Sequence, residues 1–139
     1  MVFDTAGAGV AFLLGRVLFG VILAFTGLNQ LLNLDGMVPY AEAKGVPAAG
    51  LLVPITGVML LVGGLAVALG VYPVLGAGAI ALFLLVTTPV MHDFWAASGE
   101  ERQSEINSFL KNTAMLGGAL VFLALGGVDW PYAVGVGLF

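Results

Sequence analysis

Three groups of polar side chains interrupt an otherwise apolar chain, and they are the residues that could do chemistry. The first is Arg16, a lone cation within a long apolar stretch. A charge at mid-membrane costs about 2.5–3.5 kcal/mol on insertion scales, so such a residue needs a partner or a purpose. At about 100° per residue, Gly9, Phe12, Gly20, Leu23, Gly27 and Gln30 fall on its helix face. Small residues and one amide make that face an inward one. Arg16 then reads in one of two ways. It anchors an anionic or carbonyl-bearing ligand, such as a quinone head group, or it is a structural arginine that snorkels or donates to backbone carbonyls. The second group is Thr87, Thr88, His92 and Asp93. Thr88 and His92 are four apart and share a helix face, and an imidazole is the side chain that exchanges a proton near neutral pH. The group reads as a proton donor or acceptor at a cavity mouth, or as an ordinary interfacial helix end with Phe94 and Trp95 in the aromatic belt. The third group is Gln103, Asn107, Lys111 and Asn112. Asn112 is the deepest and is expected to reach His92 or Asp93 across a helix pair. The plainer reading is the solvated entry of helix four, a helical extension from Glu100 to Lys111 that starts after Gly99 and becomes membranous near Phe109, with Arg102 and Glu105 as an exposed pair of small value.

The elements that position these groups follow from composition. Of 139 residues, 60% are apolar and 9% charged, against about 45–50% and about 25% in soluble domains. Mean hydropathy is +1.11. That much apolar surface cannot be hidden in one small soluble core, so the chain reads as a membrane protein in contact with the lipid bilayer. With no Cys, the chain supplies no disulfide, thiolate nucleophile or iron–sulfur cluster, and with one His it supplies neither a two-histidine haem nor a multi-histidine zinc site. No metal is expected. Four scattered basic residues are too few for a nucleic-acid binder.

The expected fold is all-α: a polytopic membrane protein with a four-transmembrane-helix bundle in one domain, 1–139. The spans are placed at about 6–28, 48–70, 73–91 and 109–127. Asp4-Thr5 read as the N-cap of the first. From Gly45 to Met91 there is no charge. As one helix this stretch would be about 70 Å long, more than twice the roughly 30 Å hydrocarbon core, so it must cross twice. Its turn is expected at Gly70-Val71-Tyr72-Pro73, Gly ending one helix and Pro starting the next. Pro89 should kink or loosen the end of span three. A short interfacial helix fits residues 37–44, with Met37, Val38 and Tyr40 toward lipid, and a plain loop fits nearly as well. The final AVGVGLF is apolar but too short to span. Recurring glycines (Gly20 and Gly27, Gly57 and Gly64, Gly63 and Gly70, Gly117 and Gly118) read as helix-packing surfaces. The two long polar connections, 29–47 and 92–108, lie on one side with Lys44, Arg102 and Lys111. The positive-inside rule places them in the cytoplasm and both termini outside a cell membrane.

The segments G-R-V-L-F-G-V-I-L-A-F-T-G-L-N-Q-L, Y-A-E-A-K-G-V-P, G-V-M-L-L-V-G-G-L-A-V-A-L-G-V, H-D-F-W and N-S-F-L-K-N-T-A-M-L-G-G-A-L, in that order, resemble the DoxX family from about Leu14 to Leu125. The resemblance implies a small four-helix integral membrane protein. Some relatives are linked to membrane redox complexes, including quinone-coupled thiosulfate oxidation. By the same resemblance, Arg16 matches the helix-one arginine, His92 and Trp95 match the motif closing helix three, and Asn107, Lys111 and Asn112 match the motif opening helix four. The sequence departs from the pattern at Gln30, where many members have Lys, at Leu60, where many have Glu, and at Pro73, where Arg is frequent. Without the Glu, Arg16 needs another acceptor: Asp93, a Thr hydroxyl, a carbonyl or a bound anion.

Three functions are compatible with this pattern. In the first, which the resemblance favours, the chain is a quinone-associated subunit of a membrane redox complex with no redox centre of its own. The quinone would lie between spans one, three and four with Arg16 and His92 near its head group, and other redox subunits or further copies of the chain would be partners. In the second it is a non-catalytic membrane scaffold. In the third it is an oligomeric small-molecule or anion permease with Arg16 as selector.

Overall fold

The computed structural model describes residues 2–137. Five helices follow in order: α1 (Ala8–Leu32), α2 (Leu34–Ala43), α3 (Ala49–Leu69), α4 (Pro73–Met91) and α5 (Gly99–Ala124), with one 3-10 turn at Phe94–Ala96. Four of them, α1, α3, α4 and α5, are long and apolar enough to cross a membrane. This is the expected all-α four-span architecture. The long connections meet at one end of the bundle, called here the loop end. The α3–α4 turn lies at the other, the turn end.

The α3–α4 turn falls where the sequence placed it. Gly70 caps α3 in the left-handed conformation at φ 71°, and Pro73 occupies the first turn of α4, where its missing N–H costs no hydrogen bond. Helix α4 runs through Pro89 to Met91. Two boundaries differ from expectation. Gly7, at φ 85°, precedes α1 with no side-chain cap. Asp4-Thr5 therefore do not cap it; the Thr5 carbonyl instead accepts from Ala8 N–H in a preceding turn. Helix α5 begins at Gly99, where the sequence placed its start, and the solvated extension and span four are one continuous helix. Helix α2 begins at Leu34, and its Met37 and Val38 pack on a small core of Ala41, Ala49 and Val53. Those two residues face protein and not lipid, because α2 folds onto the start of α3 and covers the loop end.

Glycine sets the closest approach in the bundle. A Cβ at Gly64 would meet the Gly20 carbonyl oxygen and lie 2.6 Å from Ala24 N, and one at Gly27 would lie 2.6 Å from Leu61 N. Helices α1 and α3 thus touch backbone to backbone, the close packing that lipid otherwise gives helices no reason to adopt. Between α1 and α5 large rings fill the space. Phe12 and Phe19 stand 5.7 and 5.0 Å from Phe122, and Phe12 stands 5.0 Å from Trp130. Leu23, Leu60, Ile80 and Leu84 complete the central core.

After α5 the chain folds back over the turn end. Val134 N–H donates to Leu69 O and Gly135 N–H to Gly70 O, while Tyr72 N–H donates to Val136 O at 2.6 Å. The expected short apolar tail is therefore a strap across the α3–α4 turn; its residues 138 and 139 lie outside the described residues.

Candidate functional site

The sequence-derived candidates separate into two sites at opposite ends of the bundle. At the turn end, Arg16 is fully buried. Its Nη1 donates to Ala68 O at 2.6 Å, and its Nη2 donates to Pro131 O at 2.8 Å and Tyr132 O at 2.9 Å. The guanidinium also lies 5.8 Å from the Trp130 ring, and Trp130 itself donates to Leu125 O. The acceptor of Arg16 is thus the backbone. Tyr72 N–H, the ordinary helical donor to the Ala68 carbonyl, is turned to Val136. The arginine answers the carbonyl left over at the end of α3, where the helix dipole favours a cation. Its Nε has no partner among the described residues.

At the loop end four charged or titratable side chains from three elements converge. Lys44, just past α2, places Nζ 2.7 Å from Asp93 Oδ1 and 3.8 Å from Glu105 Oε2. His92 Nδ1 lies 3.2 Å from the same Glu105 oxygen. Lys44 Nζ also sits 5.7 Å from the Tyr40 ring. The hydrogen bond to Asp93 holds Lys44 above the ordinary lysine range, against the opposing effect of burial. Burial, then the nearby Glu105 charge, pushes the Tyr40 phenol up. Phe94 packs edge-on against Trp95 at 5.2 Å and Phe109 at 5.3 Å, and Arg102 lies 5.9 Å from the Phe94 ring.

Glu105 corrects the sequence reading. It is 8% exposed and serves His92 and Lys44, and does not form an open pair with Arg102. The geometric reason is that the second turn of α5 lies beside the end of α4. Lys44 entered the sequence reading only as a charge for orientation; its membership of the cluster could not be read from spacing. The one available signal was that a single cation in the first connection would have to balance carboxylates in the second.

Arg16 and His92 do not share a site. Arg16 bonds at the level of Ala68, beside the turn that starts α4, and His92 follows the far end of α4. Those levels are separated by most of a 19-residue helix, roughly 25 Å at 1.5 Å per residue. A single head group cannot touch both. Asn112 makes no hydrogen bond with His92 or Asp93 among the described residues, since Glu105 and Lys44 hold those positions. Asn107 accepts from Gln103 at 3.2 Å on an exposed face, and Lys111 is exposed alongside. Gln30 is buried and uses its amide hydrogens on Val53 O at 2.7 Å and Thr56 Oγ1 at 2.9 Å, so it ties α1 to α3. Thr88 is 5% exposed, and its hydroxyl has no partner among the described residues. A groove of about 990 Å³ runs between α3 and α4 past Pro54, Val62, Leu69 and Ala79, and none of the candidate residues lines it.

Fold and geometry together define a four-span membrane protein with a charged cluster at one end and a carbonyl-bound arginine at the other. The chain matches DoxX over residues 11–93, more than half its length, and it belongs to the DoxX family. The match contains Arg16, Gln30, Lys44, Thr88, His92 and Asp93 and ends before α5. No curated protein and no solved structure matches the chain.

Proposed function

We propose that this DoxX-family protein is a quinone-associated subunit of a membrane redox complex, with the head group held at the loop end and electrons exchanged with a partner subunit. The observation that carries this reading is the His92–Glu105 pair at 3.2 Å within the Lys44–Asp93 cluster. It sets an imidazole, an ammonium and two carboxylates where the bundle meets the aqueous connections. The donor set suits a carbonyl-bearing ring: the imidazole and the Tyr40 phenol can each donate to an oxygen, and Phe94, Trp95 and Phe109 offer ring faces. When bound, a quinone would supply paired electron and proton transfer, which these side chains do not carry. In this reading His92 gives or takes a proton at the membrane surface, and Glu105 fixes the ring's orientation. Lys44 balances Asp93 and Glu105 and fastens α2 over the site. Arg16 belongs to the fold in this reading, because its terminal N–H groups are committed to carbonyls. The same commitment removes support for Arg16 as an anion selector.

The test is native mass spectrometry and solvent extraction on protein gently removed from its own membrane. Quinone retained in stoichiometric amount and lost at least ten-fold in His92→Ala supports the reading. A consistently quinone-free, partner-free preparation refutes it.

A scaffold or assembly role is favoured by a separate observation. Helix α5 has the lowest mean hydropathy of the four spans, 1.2 against 2.1–2.3, and yet the fewest buried positions, 11% against 22–39%. Its outward Asn107, Ala114 and Gly117 suit a neighbouring subunit better than lipid. The two roles coexist if that neighbour is the electron partner or a second copy. For orientation we place the loop end, with Lys44, Arg102 and Lys111, in the cytoplasm, and the termini outside.

A further inference from the structure

Among the helical threonines, four donate to the carbonyl one turn back: Thr26 to Ile22, Thr56 to Leu52, Thr87 to Phe83 and Thr113 to Phe109, at 2.6–2.8 Å. That bond is the ordinary way a threonine hydroxyl is satisfied in an apolar helix. Thr88 departs from it. Its hydroxyl makes no such bond to Leu84 and no other bond among the described residues, although the residue is 5% exposed. Leaving a buried hydroxyl unmet is costly, and a bond to its own helix would have avoided that cost.

The position of Thr88 gives the departure meaning. Ala77, Ile80, Ala81, Leu84 and Thr88 form the buried stripe of α4, so the hydroxyl belongs to the face turned into the bundle. Below it the central core is apolar around Leu84 and Ile80. One turn above it His92 opens the charged cluster. The other buried polar group near this depth, Gln30, has its amide hydrogens occupied by Val53 and Thr56. Thr88 is the unfilled donor at the boundary between apolar interior and polar end.

We propose that Thr88 binds the inner end of an amphipathic ligand: its hydroxyl donates to a ring oxygen, while an oxygen at the opposite end of the ring lies at His92. Residues four apart on a helix stand about 5–6 Å apart at Cβ, and the longer His92 side chain can carry its ring nitrogen further from the Thr88 hydroxyl, as donors to oxygens at opposite ends of one ring must be. Leu84 and Ile80 form an apolar floor below the hydroxyl, and Lys44 at the end of α2 reaches the polar end through Asp93. This assignment rests on the loop-end quinone reading and names the atom that reading lacks, an interior hydrogen-bond donor.

The experiment uses the full chain in detergent and a decyl-substituted benzoquinone as probe, with binding read by equilibrium dialysis and folding by thermal melting. Thr88→Val, which keeps the shape and removes the hydroxyl, should bind the probe about ten-fold more weakly with an unchanged or higher melting temperature. Thr88→Ser, which keeps the hydroxyl, should stay within about three-fold of wild type, since the donor is retained. If Thr88→Val binds as tightly as wild type while His92→Ala is weakened, the Thr88 assignment falls and the head-group reading stands. If wild type does not bind the probe, both fall.

Discussion

Replacing Arg16 with leucine removes three hydrogen bonds at 2.6, 2.8 and 2.9 Å and leaves their acceptors, the carbonyls of Ala68, Pro131 and Tyr132, behind. The Ala68 carbonyl suffers most. It is buried at the end of α3, and the N–H that would ordinarily answer it is bonded to Val136. One buried acceptor left unmet costs about 1–3 kcal/mol. The carbonyls of Pro131 and Tyr132 lie toward the surface and recover part of their bonding from water. Removing a buried charge also returns some desolvation energy. The net expectation is a loss of about 3 kcal/mol. Arg16→Lys should recover only part of it, because an ammonium cannot reproduce a planar fork spread over three carbonyls. The decisive comparison deletes the strap after Val128. In that background two of the three acceptors are already gone, so Arg16→Leu should cost at least 1 kcal/mol less than in the full chain, the coupling expected of residues in one network. Thermal melting in detergent, followed by the fluorescence of Trp130 in the full chain and by size exclusion in the truncated one, measures both. Wild-type stability in Arg16→Leu, or an equal loss in both backgrounds, would refute the carbonyl-clamp role.

Two further outcomes follow from the geometry. Lys44 is held above its ordinary value by its hydrogen bond to Asp93. A group raised in the folded state contributes fully below its unfolded value and loses that contribution as pH rises through the folded one. The stability gap between wild type and Lys44→Gln should therefore still be present at pH 9 and shrink only in strongly alkaline solution, as melting curves across that range would show. Gly64→Ala should destabilise, because its Cβ would meet the Gly20 carbonyl and the Ala24 amide, whereas Gly117→Ala should be neutral or stabilising by up to about 1 kcal/mol, since nothing lies within 4 Å of its Cβ. Paired melting measurements settle the contrast, and equal effects at the two sites would count against backbone contact between α1 and α3.

The spans were legible because each rests on a run of apolar residues longer than the hydrocarbon core, and because Gly70 and Pro73 punctuate the one stretch that crosses twice. The inward face of α1 was legible for the same local reason: Arg16, Gly20, Leu23, Gly27 and Gln30 follow helical spacing and are all buried. The partners of those residues were not, because they are contacts between distant parts of the chain. Arg16 meets backbone atoms 115 and 116 positions away, and a carbonyl acceptor leaves no residue-type signature. Lys44 and Asp93 are 49 apart, and only the packing of α5 beside the end of α4 brings Glu105 to them.

The two ends therefore differ in how their charge is held, and this decides which can do chemistry. Arg16 is a permanent cation, fully buried and bonded to groups that do not titrate, so neither its charge nor its neighbours' changes across physiological pH. The loop-end cluster is built from groups that can each hold or release a proton, and His92 and Glu105 share one contact at 3.2 Å. Glu105 also lies 3.8 Å from Lys44, whose 2.7 Å contact with Asp93 ties α2 to the bundle beside the end of α4. The turn-end arginine, roughly 25 Å away along α4, holds the strap through carbonyls that carry no titratable proton.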